Sequence, residues 1–331
     1  MSFGLLFKNI LNKNELKGVP RVGRVQAFSY ATDLSSSTRK TQPVDESAKA
    51  IRHLQFTKRL PFEKGLQIQE KFAKAQLDIK ELHAKIRRRL IKLREENVNT
   101  TINDSEKQVI NSILSMKPNP IILTFEFDPT YTGGKRIKKT MTQEQIARFE
   151  SFVPSRVISD VMPKFVQVER GGQVTYHGPG QMVAYIIMDL KSFHNFPARF
   201  FVSGLEESVI RTLKYLKIDD GRQLLNIDGK LTGETGVWTV DEKKIASLGI
   251  NVRRSVTSHG VSINVNPDLS YMTNFEMCGL PDVLPTSIEE QRPDVSINVQ
   301  NVAVKFVNEL AKTLGVSTVE RMQLDDINLE V

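Results

Sequence analysis

The twelve residues from Arg170 to Gln181 constrain the fold of this chain more than any other segment. They include four glycines and one proline, and they separate two runs, Phe165–Glu169 and Gln181–Asp189, whose apolar and β-branched residues predict strands. Because glycine tolerates backbone conformations that other residues avoid, the segment predicts a tight loop that a ligand can approach at the backbone. Two hairpin turns joined end to end are the alternative, but they would not explain why Arg170 and His177 lie among the glycines.

Nucleotide binding gains no support from these glycines. The sequence contains neither a phosphate loop ending in Gly-Lys-Ser/Thr nor a Gly-x-Gly-x-x-Gly run between a strand and a helix.

Apolar spacing in the rest of the chain predicts an α/β fold, an α+β arrangement with a mixed sheet and packed helices. The predicted strands are rich in apolar and β-branched residues and span 121–127, 165–169, 181–189, 237–240, 244–252 and 261–265. The predicted helices span 62–96, 142–152, 198–216 and 297–314. Gly315 follows the last helix at the position of a C-terminal cap. Residues 41–60 and 97–107 are polar, which predicts a linker and a loop.

The first 40 residues predict a targeting signal. They carry +5 of the net charge of +8, have few acidic residues and many serines, and open with an apolar cluster between Phe3 and Phe7. These features are typical of a mitochondrial targeting peptide. A basic tail without a targeting function is the alternative. Because most of the basic surplus lies in this tail, the charge is weak evidence for nucleic-acid binding. We therefore expect a protein of the mitochondrial matrix with no nucleic-acid partner.

Cysteine content and hydropathy exclude further classes. Cys278 is the only cysteine, so an intramolecular disulfide and a cysteine-rich zinc site are both excluded. A lone cysteine is more often an inert buried side chain than a nucleophile, so Cys278 by itself does not indicate catalysis. No run approaches the roughly 18 apolar residues of a membrane-spanning helix, and we expect no membrane insertion.

Four blocks of sequence occur in a fixed order: Arg170–Gln181, Gly236–Trp238 followed by Lys244–Gly249, Thr257–Val265 and Met277–Leu280. In content and in order they resemble the octanoyltransferases, the lipoate-biosynthesis branch of the biotin/lipoate protein ligase superfamily. The resemblance implies a catalytic domain with the biotin/lipoate protein ligase fold. Together with the basic tail, the blocks resemble the mitochondrial eukaryotic members.

The resemblance implies acyl transfer through a thioester on Cys278, with Lys244 as its catalytic partner. A free thiol with a pKa near 8.5 is mostly protonated at neutral pH, and a nearby ammonium group favours the reactive thiolate. The implied donor is the octanoyl-phosphopantetheine of acyl carrier protein. The implied acceptors are lysines of lipoyl domains and of glycine-cleavage H-type proteins. No metal and no further cofactor are implied.

The resemblance also implies a set of substrate-binding positions in three stretches. Within that set, His177 and His259 have three candidate roles: donating to the oxyanion, orienting the nucleophile, or packing as structural histidines. Backbone N–H groups near Cys278 and Gly279 are further candidates for binding the oxyanion. The substrate-binding positions are Arg170, Gly171, Gly172, Gln173, Val174, Thr175, Tyr176, His177, Ser247, Leu248, Gly249, His259, Gly260, Val261 and Ser262.

One position departs from the family pattern. Family members often carry Glu-His before a turn that resembles Pro-Val-Tyr-Thr, whereas Phe127 follows Glu126 in this chain. We therefore assign no catalytic role to that stretch.

Two rival functions remain open. An ATP-dependent lipoate ligase of the same superfamily needs no catalytic cysteine, and a non-catalytic acyl-carrier binding protein needs no thiolate.

The predicted domain organisation has four parts. They are a targeting peptide over 1–40, a linker and N-terminal helical segment over 41–115, an octanoyltransferase catalytic domain over 116–318 and a C-terminal tail over 319–331.

Overall fold

The computed structural model describes residues 41–95, 102–156, 159–279 and 282–325, without the side chains of Arg94, Asp219 and Cys278. The predicted targeting peptide over 1–40 therefore lies outside the described residues. The described residues form two compact units. One consists of residues 77–95 and 102–117, and the other of residues 41–76 and 118–325.

The strands all lie in the larger unit. In chain order they are β1 (Ala50–Phe56), β2 (Ile121–Phe125), β3 (Thr130–Gly133), β4 (Lys164–Gln167), β5 (Val174–His177), β6 (Gln181–Ile187), β7 (Lys217–Ile218), β8 (Gln223–Leu224), β9 (Gly229–Lys230), β10 (Val237–Thr239), β11 (Lys244–Arg253), β12 (Val256–Asn264) and β13 (Thr318–Leu324). The α-helices of the described residues are α1 (Phe62–Glu95), α2 (Asp104–Ser115), α3 (Gln143–Glu150), α4 (Ala198–Tyr215), α5 (Ile288–Gln291) and α6 (Val299–Thr313).

An eight-stranded mixed sheet is the frame of the larger unit. Its strand order is β13-β1-β2-β6-β12-β11-β10-β9. Strands β13, β1 and β2 pair in parallel, and the other neighbours pair antiparallel. This arrangement confirms the predicted fold class of a mixed sheet with packed helices.

Both faces of β6 are covered, which explains why the whole strand is buried. Alternate residues point to opposite faces of a sheet. Met182, Ala184 and Ile186 join the main apolar core with α4 and α6. Val183 and Tyr185 line a cavity on the opposite face. The central strand therefore supports the core and the candidate site at the same time.

A three-stranded sheet holds the glycine-rich segment in place. β3 is its middle strand, parallel to β4 and antiparallel to β5. Because β5 lies inside the segment that we predicted to be a loop, that prediction is only partly right. The turns on either side of β5 contain Gly172 with φ +86° and Gly180 with φ +78°, a left-handed conformation that favours glycine.

The smaller unit consists of residues 77–95 of α1 together with α2. The Nε2 atom of His83 lies 2.8 Å from the carbonyl oxygen of Ile113 and ties the two helical pieces together. A capping box starts α2, since the Asn103 side chain accepts from the Glu106 N–H and the Glu106 carboxylate accepts from the Asn103 N–H. The predicted polar loop over 97–107 is therefore wrong from residue 104 onward, and residues 97–101 lie outside the described residues.

The predicted linker over 41–60 is also wrong, because it contains β1. This strand escaped prediction since two of its buried residues are polar. His53 pairs with the Thr124 hydroxyl at 2.9 Å, and Gln55 donates to the side chain of Gln300 at 2.7 Å. Residues 319–324 of the predicted tail likewise belong to β13, whose residues are mainly exposed at the sheet edge and show no apolar pattern.

Candidate active site

Two adjoining cavities lie between the glycine-rich segment and strands β11 and β12. The inner cavity has a free volume of about 20 Å³ and reaches Phe62, His177, Tyr185 and His259. The outer cavity has a free volume of about 240 Å³ and reaches Lys244. The wall between them is shared and consists of Arg170, Thr175, Ser247, Leu248 and Gly249.

The fold brings all the predicted substrate-binding residues to these two cavities. Besides the five residues of the shared wall, the outer cavity is lined by Gly171, Gly172, Gln173, Val174 and Tyr176, together with Lys244. The inner cavity is lined by His177, His259, Gly260, Val261 and Ser262. Residues from three separate stretches of the sequence thus meet in one cleft, while their roles stay predictions.

Arg170 organises the shared wall. Its side chain is buried and donates to the carbonyl oxygens of Gly171 at 2.9 Å and Gln173 at 3.0 Å. Its other terminal nitrogen donates to the carbonyl and the hydroxyl of Thr132 on β3. Burial lowers the pKa of Arg170 to about 10, so the guanidinium stays charged at neutral pH. It fastens the glycine-rich segment to the three-stranded sheet.

A chain of hydrogen bonds fixes the tautomer of His177. Asn264 Nδ2 donates to the carbonyl oxygen of Thr286 at 2.9 Å, an atom that can only accept. Asn264 Oδ1 therefore faces Gln181 and accepts from Gln181 Nε2 at 2.9 Å. Gln181 Oε1 in turn accepts from His177 Nδ1 at 2.8 Å. The proton of His177 is thus on Nδ1, which leaves Nε2 as an acceptor.

This tautomer narrows the roles that we listed for His177. Burial lowers the pKa of His177 to about 3, so the ring is neutral at neutral pH. A neutral ring with its proton on Nδ1 cannot donate from Nε2 to an oxyanion. Thr286, where this series of hydrogen bonds ends, is also bonded to Lys244 at the other end of the cleft. Its N–H donates to the carbonyl oxygen of Lys244 at 2.9 Å.

His259 has an unusual backbone conformation for a residue in a strand. Its φ is +58°, and its N–H donates to the side chain of Gln69 at 2.6 Å. Its ring packs edge-on against Tyr185, with centroids 5.6 Å apart. Burial lowers the pKa of His259 to about 3. The strain that such a backbone stores is typical of functional sites.

Lys244 begins β11 and is buried at the wall of the outer cavity. Its Nζ donates to the carbonyl oxygen of Thr235 at 3.1 Å and lies 5.1 Å from the ring centroid of Trp238. Glu206 of α4 accepts from the Gly236 N–H at 3.0 Å. Burial raises the pKa of Glu206, and the charge of Lys244 opposes that rise. The charge of Lys244, at the cavity wall, thus acts on the carboxyl group of Glu206.

Cys278 lies in a 3₁₀ turn, Met277–Gly279, and its side chain lies outside what the structure describes. Its two neighbours border the outer cavity. Met277 lines that cavity, and a Cβ atom on Gly279 would lie 2.7 Å from Nε2 of Gln173. The Gly279 N–H donates to the carbonyl oxygen of Glu276 at 3.2 Å, so this candidate for the oxyanion site is already engaged.

Comparison with known proteins identifies the family. Residues 103–311 match the family described as "Lipoyl protein ligase A/B catalytic domain". The chain is 60% identical over 312 residues to "Octanoyltransferase, mitochondrial" of Saccharomyces cerevisiae, which covers 93% of this chain and 94% of that relative. The chain belongs to the octanoyltransferase family. It is an acyltransferase of lipoate biosynthesis.

A second relative and a solved structure are also similar to this octanoyltransferase. The protein of the same name from Kluyveromyces lactis is 57% identical over 294 residues, which cover 88% of this chain and 89% of the relative. The LipL1 of P. falciparum in complex with lipoate aligns with a TM-score of 0.45 at 15% identity over 82% of this chain and 66% of that chain.

The octanoyltransferase cleft has wall residues that sequence reasoning did not find. Phe62, at the start of α1, stacks on His177 with centroids 5.6 Å apart. Val202, on helix α4, is half-buried and lines the outer cavity. Phe127, which replaces the family histidine, is buried in an aromatic cluster with Phe62 and Tyr185. Only the apolar character of these residues could have pointed to them, and core residues share it.

Among the described residues, no group of three or more His, Cys, Asp or Glu side chains is placed to hold a metal ion. None of the described helices has the length and apolar character needed to cross a membrane.

Proposed function

We propose that this enzyme moves an octanoyl group from the phosphopantetheine arm of acyl carrier protein to a protein lysine, through a thioester on Cys278. The observation that carries the proposal is the position of Lys244, a buried cation on the wall of the same cavity that Met277 lines. A cation beside a cysteine favours the thiolate, which is the nucleophilic form. The name of the Saccharomyces cerevisiae relative supports the octanoyl group as the cargo.

In the first half-reaction the Cys278 thiolate attacks the carbonyl carbon of the donor thioester. The new carbon–sulfur bond forms as the bond to the phosphopantetheine sulfur breaks, and Lys244 gives a proton to the departing thiolate. In the second half-reaction the acceptor lysine amine attacks the acyl-cysteine, an amide forms, and the Cys278 thiolate leaves. Lys244, now neutral, takes the proton that the amine loses. After both half-reactions Cys278 is again a thiolate and Lys244 is again protonated.

The acyl chain lies along the shared wall in the outer cavity, and its end reaches the inner cavity. This cavity offers Phe62, Val183, Leu248 and Val261 as apolar contacts, and each buried methylene contributes about 0.8 kcal/mol of binding. The substrate-binding roles of the shared wall and of the glycine-rich segment are part of this proposal.

The proposed acceptors are lipoyl domains and glycine-cleavage H-type proteins, and the proposed compartment is the mitochondrial matrix. The word "mitochondrial" in the names of two relatives supports the compartment, and so does the basic N-terminal tail. No cofactor beyond the phosphopantetheine of the donor takes part in this chemistry.

The experiment that tests the proposal is intact mass after the enzyme is mixed with octanoyl carrier protein, without ATP. We expect a gain of one octanoyl group on the wild type and none on Cys278→Ala. Lys244→Ala should acylate slowly, faster at alkaline pH, and transfer poorly. A stable adduct on Cys278→Ala refutes the covalent mechanism. Activity that requires ATP and magnesium supports the ligase instead, and donor binding without acylation of Cys278 supports the binding protein.

A further inference from the structure

Two residues that line the inner cavity each carry a buried hydrogen-bond donor with no partner among the described residues. The donors are Nε of Arg170 and the hydroxyl of Tyr185. Arg170 is 6% exposed and Tyr185 is 3% exposed, and both residues line the inner cavity. A buried donor without a partner costs stability, so such groups indicate that the cavity receives a polar atom.

The same cavity holds an acceptor whose direction is fixed. The hydrogen-bond chain through Gln181 and Asn264 keeps the proton of His177 on Nδ1, so Nε2 accepts. His177 lines the inner cavity and does not line the outer one. Tyr185 likewise lines the inner cavity only, whereas Lys244 and Met277 line the outer one only. His177 and Tyr185 therefore lie away from the reacting end of the cleft, and Arg170 lies on the wall between the two cavities.

We propose that Arg170 Nε, the Tyr185 hydroxyl and His177 Nε2 form one polar site that holds a water molecule and limits the length of the acyl chain. The proposal rests on the proposed function, because it requires the acyl chain to enter the inner cavity. A buried water needs two to four polar partners, and this site supplies two donors and one acceptor.

Such a site rejects longer chains because the hydrogen bonds that are lost outweigh the apolar burial that is gained. Each additional methylene that is buried improves binding by about fourfold, so a decanoyl chain gains about fifteenfold over an octanoyl chain. A decanoyl chain that displaces the water leaves three polar groups without partners. Each such group weakens binding by roughly five- to 150-fold. The affinity lost from the unpartnered polar groups exceeds the affinity gained from the two methylenes. The octanoyl chain is therefore preferred even where no apolar side chain blocks the cavity.

Tyr185→Phe tests the proposal, because it removes one hydroxyl and keeps the ring that packs on His259. The quantity to measure is kcat/KM with decanoyl carrier protein divided by kcat/KM with octanoyl carrier protein. We expect this ratio to rise at least about fivefold in Tyr185→Phe, the smaller effect of one polar group. The control is Tyr131→Phe, since the Tyr131 hydroxyl is also buried but donates to the Tyr271 carbonyl oxygen at 3.0 Å and its residue lines neither cavity. An unchanged ratio in Tyr185→Phe, or an equal rise in the control, overturns the proposal.

A second measurement does not depend on activity. Nitrogen-15 NMR distinguishes the two tautomers of a neutral histidine, and His177 is one of only five histidines. We expect the proton of His177 on Nδ1 and a bare Nε2 in the wild type. A proton on Nε2 overturns the polar site whatever the acyl specificity. A wild type that forms no acyl-enzyme but shows the expected tautomer refutes the covalent mechanism, and the relative affinities of Tyr185→Phe and wild type for decanoyl and octanoyl carrier protein then decide the chain-length role.

Discussion

Gly249 on β11 lies directly opposite Gly260 on β12, and neither position has room for a side chain. A Cβ atom on Gly249 would lie 2.8 Å from Cδ of Arg170. A Cβ atom on Gly260 would lie 2.3 Å from the carbonyl oxygen of Ala184. The lack of a side chain at Gly249 allows Arg170 to lie close against the sheet, and the shared wall of the two cavities depends on that approach.

Gly249→Ala should therefore damage the site more than the fold around it. The new methyl group pushes on Arg170, which four hydrogen bonds hold in place. Overpacking of this kind costs about 1–3 kcal/mol, and we expect a matching fall in the free energy of unfolding together with slower formation of the acyl-enzyme. Urea denaturation and intact mass measure the two effects.

The matched control is Gly233→Ala, because a Cβ atom there would meet nothing within 4 Å. Its free energy of unfolding should stay within about 0.5 kcal/mol of the wild type. Equal behaviour of the two variants would show that the contact with Arg170 has no energetic consequence.

Glu206→Gln should move the pH dependence of Cys278 reactivity. Glutamine can still accept from the Gly236 N–H, but it removes a negative charge that acts on Lys244. A lost negative charge makes protons easier to remove from both members of the proposed pair. The rise of Cys278 reactivity with pH should therefore shift to lower pH.

Alkylation by iodoacetamide measures this shift directly, because Cys278 is the only cysteine. The control is Glu207→Gln on the same helix, where the carboxylate is exposed. If the Glu206→Gln profile coincides with that of the wild type, the charge of Glu206 does not act on the pair.

The sequence predicted the main elements of this fold because their apolar periodicity is strong. Helix α4 and strand β6 were both found in this way, since each presents an apolar surface to the core. Strand β1 was missed because His53 and Gln55 are polar yet buried. Their hydrogen bonds to Thr124 and Gln300 come from distant parts of the chain. Periodicity cannot reveal a buried polar residue whose partner lies elsewhere in the sequence.

The candidate site was likewise predicted only in part. The resemblance to a family named the positions that line the cleft, including Arg170 and His177. It did not reveal the tautomer of His177, which depends on Asn264 and on the Thr286 carbonyl oxygen, about 90 and 110 residues further along the chain. The unpartnered hydroxyl of Tyr185 could not be predicted either, because its environment exists only once three strands and the glycine-rich segment are assembled.

Three buried histidines should make the folded state sensitive to mild acid. Burial lowers the pKa of His53 to about 4 and the pKa values of His177 and His259 to about 3, whereas an unfolded histidine has a pKa near 6.5. Between these values the unfolded chain binds more protons, so stability is present above pH 6.5 and is lost as the pH falls. Each histidine contributes a slope of up to about 1.4 kcal/mol per pH unit.

Urea denaturation between pH 7.5 and 5 measures this slope, in a window above the ordinary titration of carboxylates. His53→Gln, outside the cleft, should flatten the slope by up to about 1.4 kcal/mol per pH unit. His194→Gln is the control, because His194 is exposed. A slope that is the same in all three proteins would contradict the assignment of His53 as a neutral buried residue.

The last prediction concerns an exposed basic turn, Lys135–Lys139, at the mouth of the cleft. Its backbone is tied to the glycine-rich segment, since the Lys135 N–H donates to the Arg170 carbonyl oxygen at 3.0 Å and the Arg136 N–H to that of Gly172 at 3.2 Å. The Arg136 side chain lines the outer cavity. Within the turn, Lys135 and Lys138 pair with Glu169, which leaves a net positive charge.

An acidic carrier protein should be attracted to this turn, so Arg136→Glu should raise KM for the carrier. An exposed charge pair is worth up to about 1 kcal/mol, which corresponds to roughly a fivefold change at low salt. Charges separated by more than about 8 Å are largely screened at physiological ionic strength. The difference from wild type should therefore shrink as salt rises, while wild-type KM itself rises more than kcat falls.

Lys191→Glu makes the same charge change at an exposed lysine that lines neither cavity, and KM should then stay close to the wild-type value. A wild-type KM that is flat across the salt series, or an equal effect of the two substitutions, would show that the carrier does not dock on this turn.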